Sequence, residues 1–66
     1  MDLVIVHYTE NDNPKESHFP LEYESTTSLD NDAAILIGLG MLYDNSWIPG
    51  SVSYSITLNG KEVECG

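Results

Sequence analysis

The sequence predicts an α+β domain of two layers in the order β-β-α-β-β, a small antiparallel or mixed sheet with one helix packed across one face. Three observations carry that prediction. A long apolar run between residues 27 and 43, TSLDNDAAILIGLGMLY, is the only segment able to organise a core. A β-branched run, LVIVHY at residues 3–8, precedes it. After it, VSYSITL leads into Asn59-Gly60, a dipeptide that favours the positive φ angles of a tight hairpin turn. At 66 residues the chain is a single domain, 1–66, and such a chain buries only about 60 percent of the surface it exposes when unfolded.

Residues 3–8 form a nearly continuous apolar strand, the pattern of a central strand covered on both faces. Residues 9–17, TENDNPKES, read as an exposed acidic loop with Asn13-Pro14 as turn former. From His18 to Glu24 the pattern alternates, with Phe19, Leu21 and Tyr23 on one side and His18, Pro20, Glu22 and Glu24 on the other. Pro20 cannot donate to a ladder, so this strand lies at an edge or has its proline at an unpaired position.

Thr27 or Ser28 is expected to cap the helix, with Asp30 and Asp32 where the helix dipole favours negative charge. Ile35, Leu36, Leu39 and Leu42 recur at helical spacing, and Asn45 is a suitable stop. The rival reading makes residues 35–37 a buried strand broken at Gly38 and Gly40, each of which costs roughly 1 kcal/mol against Ala within a helix. The preferred reading keeps the helix and uses the glycines for close approach to the sheet. Trp47, Ile48, Pro49 and Gly50 form a turn that closes one end of the core. Val52, Tyr54, Ile56 and Leu58 then alternate with Ser53, Ser55 and Thr57, and residues 61–65 return with Glu62 and Glu64 sharing a face opposite Val63.

Charge is the chain's exceptional property. Eleven Asp and Glu face Lys15 and Lys61 and no arginine, for a formal net charge of −9. Ordinary solvated surfaces mix both signs. Carboxylates repel nucleic acid and anionic membranes, so neither is an expected partner, and a basic protein surface is. One cysteine, Cys65, and an N-terminal region without the basic and apolar segments of a signal peptide point to a soluble protein of the cell interior, with no run near the twenty or so apolar residues of a membrane span.

No metal, cofactor or catalytic centre is expected. Asn11-Asp12-Asn13 and Asp30-Asn31-Asp32 lack the spacing of a calcium loop. His7, His18 and Cys65 lack zinc-ligand spacing, and Gly38-Leu39-Gly40 is no phosphate loop. Paired carboxylates can serve as acid and base, but a chain this short leaves little apolar surface to wall a cleft.

What remains is the carboxylates themselves. Residues two apart on a strand lie about 6.6 Å apart on one face, close to the separation of successive phosphates along a nucleic-acid strand. Glu22 with Glu24, and Glu62 with Glu64, are therefore candidate phosphate mimics, extended by Glu10, Asp12 and Glu16 in the loop and by Asp30 and Asp32 at the helix start. Tyr8, Tyr23 and Trp47 are candidate aromatic anchors. The small size, the strand and helix order and the acidic segments ENDNPKE, LEYE, LDND and KEVE resemble the acidic inhibitors encoded by bacteriophages and mobile elements, including anti-CRISPR proteins and other DNA mimics. The resemblance is one of type, without a shared motif. It implies a non-catalytic inhibitor in the cytoplasm of a bacterial host that occupies the basic DNA-binding surface of a defence protein, such as a subunit of a CRISPR surveillance complex. The alternative is a small acidic assembly module that binds a protein partner through a sheet edge or an apolar patch.

Overall fold

The computed structural model describes residues 1–66 apart from the side chain of Pro49. Strand β1 (Asp2–Glu10), β2 (Leu21–Ser25), helix α1 (Asn31–Asp44), a short 3-10 turn at Pro49–Ser51, β3 (Val52–Leu58) and β4 (Lys61–Cys65) follow in that order. The four strands make one antiparallel sheet in the order β2-β1-β3-β4, and α1 lies against one of its faces. The expected α+β, two-layer β-β-α-β-β fold is therefore found, with the sheet wholly antiparallel.

Register explains the two faces. Val4 pairs with Leu58, Val6 with Ile56 and Tyr8 with Tyr54, and these side chains point to the helix. Val4, Val6, Ala34, Leu42, Val52 and Ile56 form the buried core. Each large member contributes roughly 1.5–3 kcal/mol by leaving water. The alternate residues of β1, Leu3, Ile5, His7 and Thr9, lie on the uncovered face, where Leu3 and Ile5 are half-buried and His7 and Thr9 exposed. Strand β1 is central as expected, but it is covered on one face only, because one helix cannot cover both sides of a sheet.

The helix starts later than the sequence suggests. Asp30 is the N-cap and its carboxylate accepts from the Ala33 N–H at 2.7 Å. Residues ahead of it are held otherwise: the Asp2 carboxylate accepts from Leu29 N–H at 2.7 Å, and the buried Ser25 hydroxyl donates to the Thr27 carbonyl. Neither Thr27 nor Ser28 caps the helix. At the other end Asn45 is the stop, its side-chain amide donating to the Met41 carbonyl at 2.8 Å.

The inward face of α1 also differs from the expectation. Ala34, Gly38 and Leu42 face the sheet, while Leu36 is 71% exposed. Every position from 33 to 43 is apolar or glycine, so periodicity could not set the rotation; close approach did. A Cβ on Gly38 would lie 2.7 Å from Ile56 Cδ1, whereas one on Gly40 meets nothing within 4 Å. Only Gly38 serves close approach.

Strand β2 is an edge strand, as expected, but begins at Leu21 rather than His18. Pro20 stands just before the ladder that it could not join, and Phe19 is 92% exposed instead of facing the core. Trp47 packs against the core and Ile48 is exposed; the side chain of Pro49 lies outside the described set. In the β3–β4 hairpin, Asn59 (φ 53°) and Gly60 (φ 86°) adopt the positive angles of a type I′ turn. Asn59 also holds the start of β1, accepting from Leu3 N–H and donating to the Asp2 carboxylate.

Candidate partner-binding flank and side-chain clusters

The structure sorts the predicted carboxylates by position. Strand β2 runs back along β1, so Glu22 lies opposite Ile5 and Glu24 opposite Leu3, both on the uncovered face of the edge strand and both exposed. Glu10 is not in the loop as expected but is the last residue of β1, paired with Val52, and the loop between β1 and β2 carries Asp12 and Glu16. Beyond β2, the Asp2–Leu29 contact ties the helix start, with Asp30 and Asp32, to the start of β1. Glu22 and Glu24 thus stand on the uncovered face, whereas Asp30 and Asp32 belong to the helix layer on the other face, in a molecule whose principal extents are 36 × 18 × 16 Å. Glu22, Glu24, Asp12 and Asp32 make no side-chain hydrogen bond among the described residues, and no lysine is paired with a carboxylate there.

Glu62 and Glu64 do not join Glu22 and Glu24, and they do not share a face. A bulge in β4 sets Glu62 opposite Thr57 and Glu64 opposite Ile56, with Val63 as the additional residue. Because one extra residue reverses the alternation, Glu62 lies on the uncovered face, accepting from the Ser55 hydroxyl at 2.7 Å, and Glu64 lies on the helix side. The expectation of a second phosphate-like pair is corrected accordingly. Strand β4 is moreover the opposite edge of the sheet.

Two of the expected aromatic anchors are committed internally. Tyr8 stacks on His18 with ring centroids 5.1 Å apart, and Trp47 lies 5.5 Å from Tyr8 and edge-on to His18 at 5.2 Å. Tyr23, 45% exposed, pairs with Val4 and so projects from the helix side of β2, opposite to Glu22 and Glu24, and Phe19, 92% exposed, lies in the loop ahead of the strand.

The loop after β1 is built by two successive turns around Asn13. Its N–H donates to the Glu10 carbonyl, its own carbonyl accepts from Glu16 N–H, and its side-chain amide donates to the Glu16 carboxylate at 2.9 Å. Asn13 and Pro14 occupy the positions that a turn prefers for these residues. Glu16 is thereby folded back toward Glu10, whose carboxylate oxygen lies 3.0 Å from His18 Nε2. One ligand atom from each of Glu10, Glu16 and His18 falls within 4.8 Å of the others. Sequence reasoning missed this convergence: it paired His18 with His7 and Cys65. Those two project on the uncovered face, each in register with Ser55 from opposite neighbouring strands, and so are about 10 Å apart. The available signal was Asn-Pro between Glu10 and His18, which turns the chain back on itself.

An open concavity of about 440 Å³ lies between this loop and the ends of β1 and β3, lined by His7, Thr9, Glu16, His18, Ser53 and Ser55 among others. The Asp2 carboxyl is held below its ordinary pKa first by the Leu29 N–H and then by the Asn59 amide, both of which favour the charged form. No helix is long and apolar enough to cross a membrane. No family model, no curated protein and no solved structure matches the chain.

Proposed function

We propose that the chain is a non-catalytic inhibitor whose acidic flank occupies the basic, DNA-binding surface of another protein. The observation that carries this reading is the β2 edge: Glu22 and Glu24 stand exposed at strand spacing on the uncovered face, with no paired lysine among the described residues. The 36 Å length of the molecule approximates one turn of duplex DNA, about 34–36 Å. Competition would work by placing carboxylates on Lys and Arg groups that otherwise hold phosphates, with the exposed Tyr23 of the same edge strand as an aromatic anchor. The resemblance to phage-encoded inhibitors supports the finer proposal of an anti-CRISPR protein acting in a bacterial cytoplasm on the duplex-binding subunit of a surveillance complex.

A second reading has its own observation. Leu36 on α1 is 71% exposed, and Tyr43 near its end and Ile48 just beyond it are each 65% exposed, which leaves apolar side chains on the outward side. That surface suits an assembly module bound through an apolar patch. Capture from a bacterial lysate on the immobilised chain separates the two. Under the inhibitor reading, a captured DNA-binding protein is released by a short DNA duplex and by high salt, and is not captured by Glu22→Lys/Glu24→Lys. Capture that withstands both the duplex and the charge reversal, yet is lost in Leu36→Lys, overturns the inhibitor reading in favour of the module.

A further inference from the structure

We infer that Glu10, Glu16 and His18 form a binding site for a divalent first-row transition-metal ion, with one imidazole nitrogen and two carboxylate oxygens as ligands. The donor set suits Zn²⁺, Ni²⁺ or Co²⁺, since imidazole selects these over Mg²⁺ and Ca²⁺, which prefer all-oxygen shells.

Geometry supports the assignment. With metal–ligand bonds of about 2.1 Å, neighbouring ligands of an octahedral ion stand roughly 3.0 Å apart and opposite ones about 4.2 Å. His18 Nε2 and the Glu10 oxygen are already 3.0 Å apart, and all three ligand atoms lie within 4.8 Å. Closing the set needs only the carboxylate of Glu16, an exposed residue on a turn, to move toward the other two. The two inner ligands are placed by the fold rather than by solvent. The His18 and Glu10 side chains are 18% and 29% exposed, and the imidazole packs against both Tyr8 and Trp47. Asn13 donates to the Glu16 carboxylate, orienting the third ligand as outer-shell groups do in metal sites.

Electrostatics act in the same direction. The chain carries a net charge of −9, and two adjacent carboxylates concentrate the field where a cation would sit. The bound ion would replace the direct His18–Glu10 contact and tie the loop to the end of β1. Binding requires the imidazole without its Nε2 proton, so affinity falls on acidification.

Trp47 supplies an internal reporter, because it is the single tryptophan and its ring lies 5.2 Å from that of His18. The test titrates the intact chain with Ni²⁺ at neutral pH, following Trp47 fluorescence and the heat of binding. Expected is saturation at one equivalent, with affinity lowered about tenfold or more in His18→Gln and in Glu16→Gln and unchanged in His7→Gln. Glu16→Gln alters an exposed loop residue, so its effect is readable even if His18→Gln perturbs the fold. Absence of saturable binding, or Ni²⁺ affinity undiminished in Glu16→Gln, overturns the site. So does equal weakening by His7→Gln, which would mark diffuse attraction to the acidic surface. Mg²⁺ at the same concentration is expected to leave Trp47 fluorescence unchanged.

Discussion

Gly38→Ala and Gly40→Ala, made separately, test how α1 meets the sheet. Both replace a glycine in the same helix, and each therefore gains about 0.8–1 kcal/mol of helix propensity. Their surroundings differ. The new Cβ at position 38 would lie 2.7 Å from Ile56 Cδ1 and 2.9 Å from both Cγ1 and Cγ2. Ile56 is fully buried and β-branched, so it cannot swing aside, and the helix must back away from the core that it shares with Val4, Val6 and Leu42. Overpacking of this kind costs typically about 1–3 kcal/mol. At position 40 nothing lies within 4 Å, and only the gain remains. Subtracting one variant from the other cancels the propensity term and leaves the steric cost, about 1–3 kcal/mol. For a domain of this size that difference separates their midpoints by roughly 4–24 °C, Gly40→Ala above the parent and Gly38→Ala below Gly40→Ala. Thermal unfolding followed by circular dichroism measures it. Equal stabilisation by the two substitutions would refute the seating of Gly38 on Ile56.

Asp30→Ala removes the N-cap acceptor and is expected to lower stability by about 1 kcal/mol in urea unfolding, whereas Ser28→Ala changes little; the reverse order would move the cap back to Ser28. Acid sensitivity follows from Asp2. Its folded-state pKa is lowered, so the unfolded chain binds the proton more readily, and the stabilisation is present above the ordinary value of 3.8 and lost as pH falls below it. Asp2→Asn should therefore show a shallower loss of stability than the parent below about pH 4, measured by thermal midpoints across the acid range. Parallel curves would mean that the Leu29 N–H does not favour the charged form.

Much of the fold was legible because alternation and turn chemistry are local. Val52, Tyr54, Ile56 and Leu58 announce one buried face of β3, and Asn59-Gly60 announces its hairpin, within a few residues each. Pro20 marked a position that joins no ladder, and it stands just ahead of the edge strand β2. The rotation of α1 was not legible, since a uniformly apolar segment has no preferred face until a second surface selects one. Nor was the β4 bulge, which depends on pairing with β3 and which separates Glu62 from Glu64.

By itself the sequence determined the order of elements and the excess of negative charge, for both follow from the identity of residues along the chain. Tertiary structure alone decided which of those charges stand together. Folding brought Glu10, Glu16 and His18 to one point and spread Glu22 and Glu24 along an edge, because distance in space is set by strand register and turn closure. Neither is a property of any single segment.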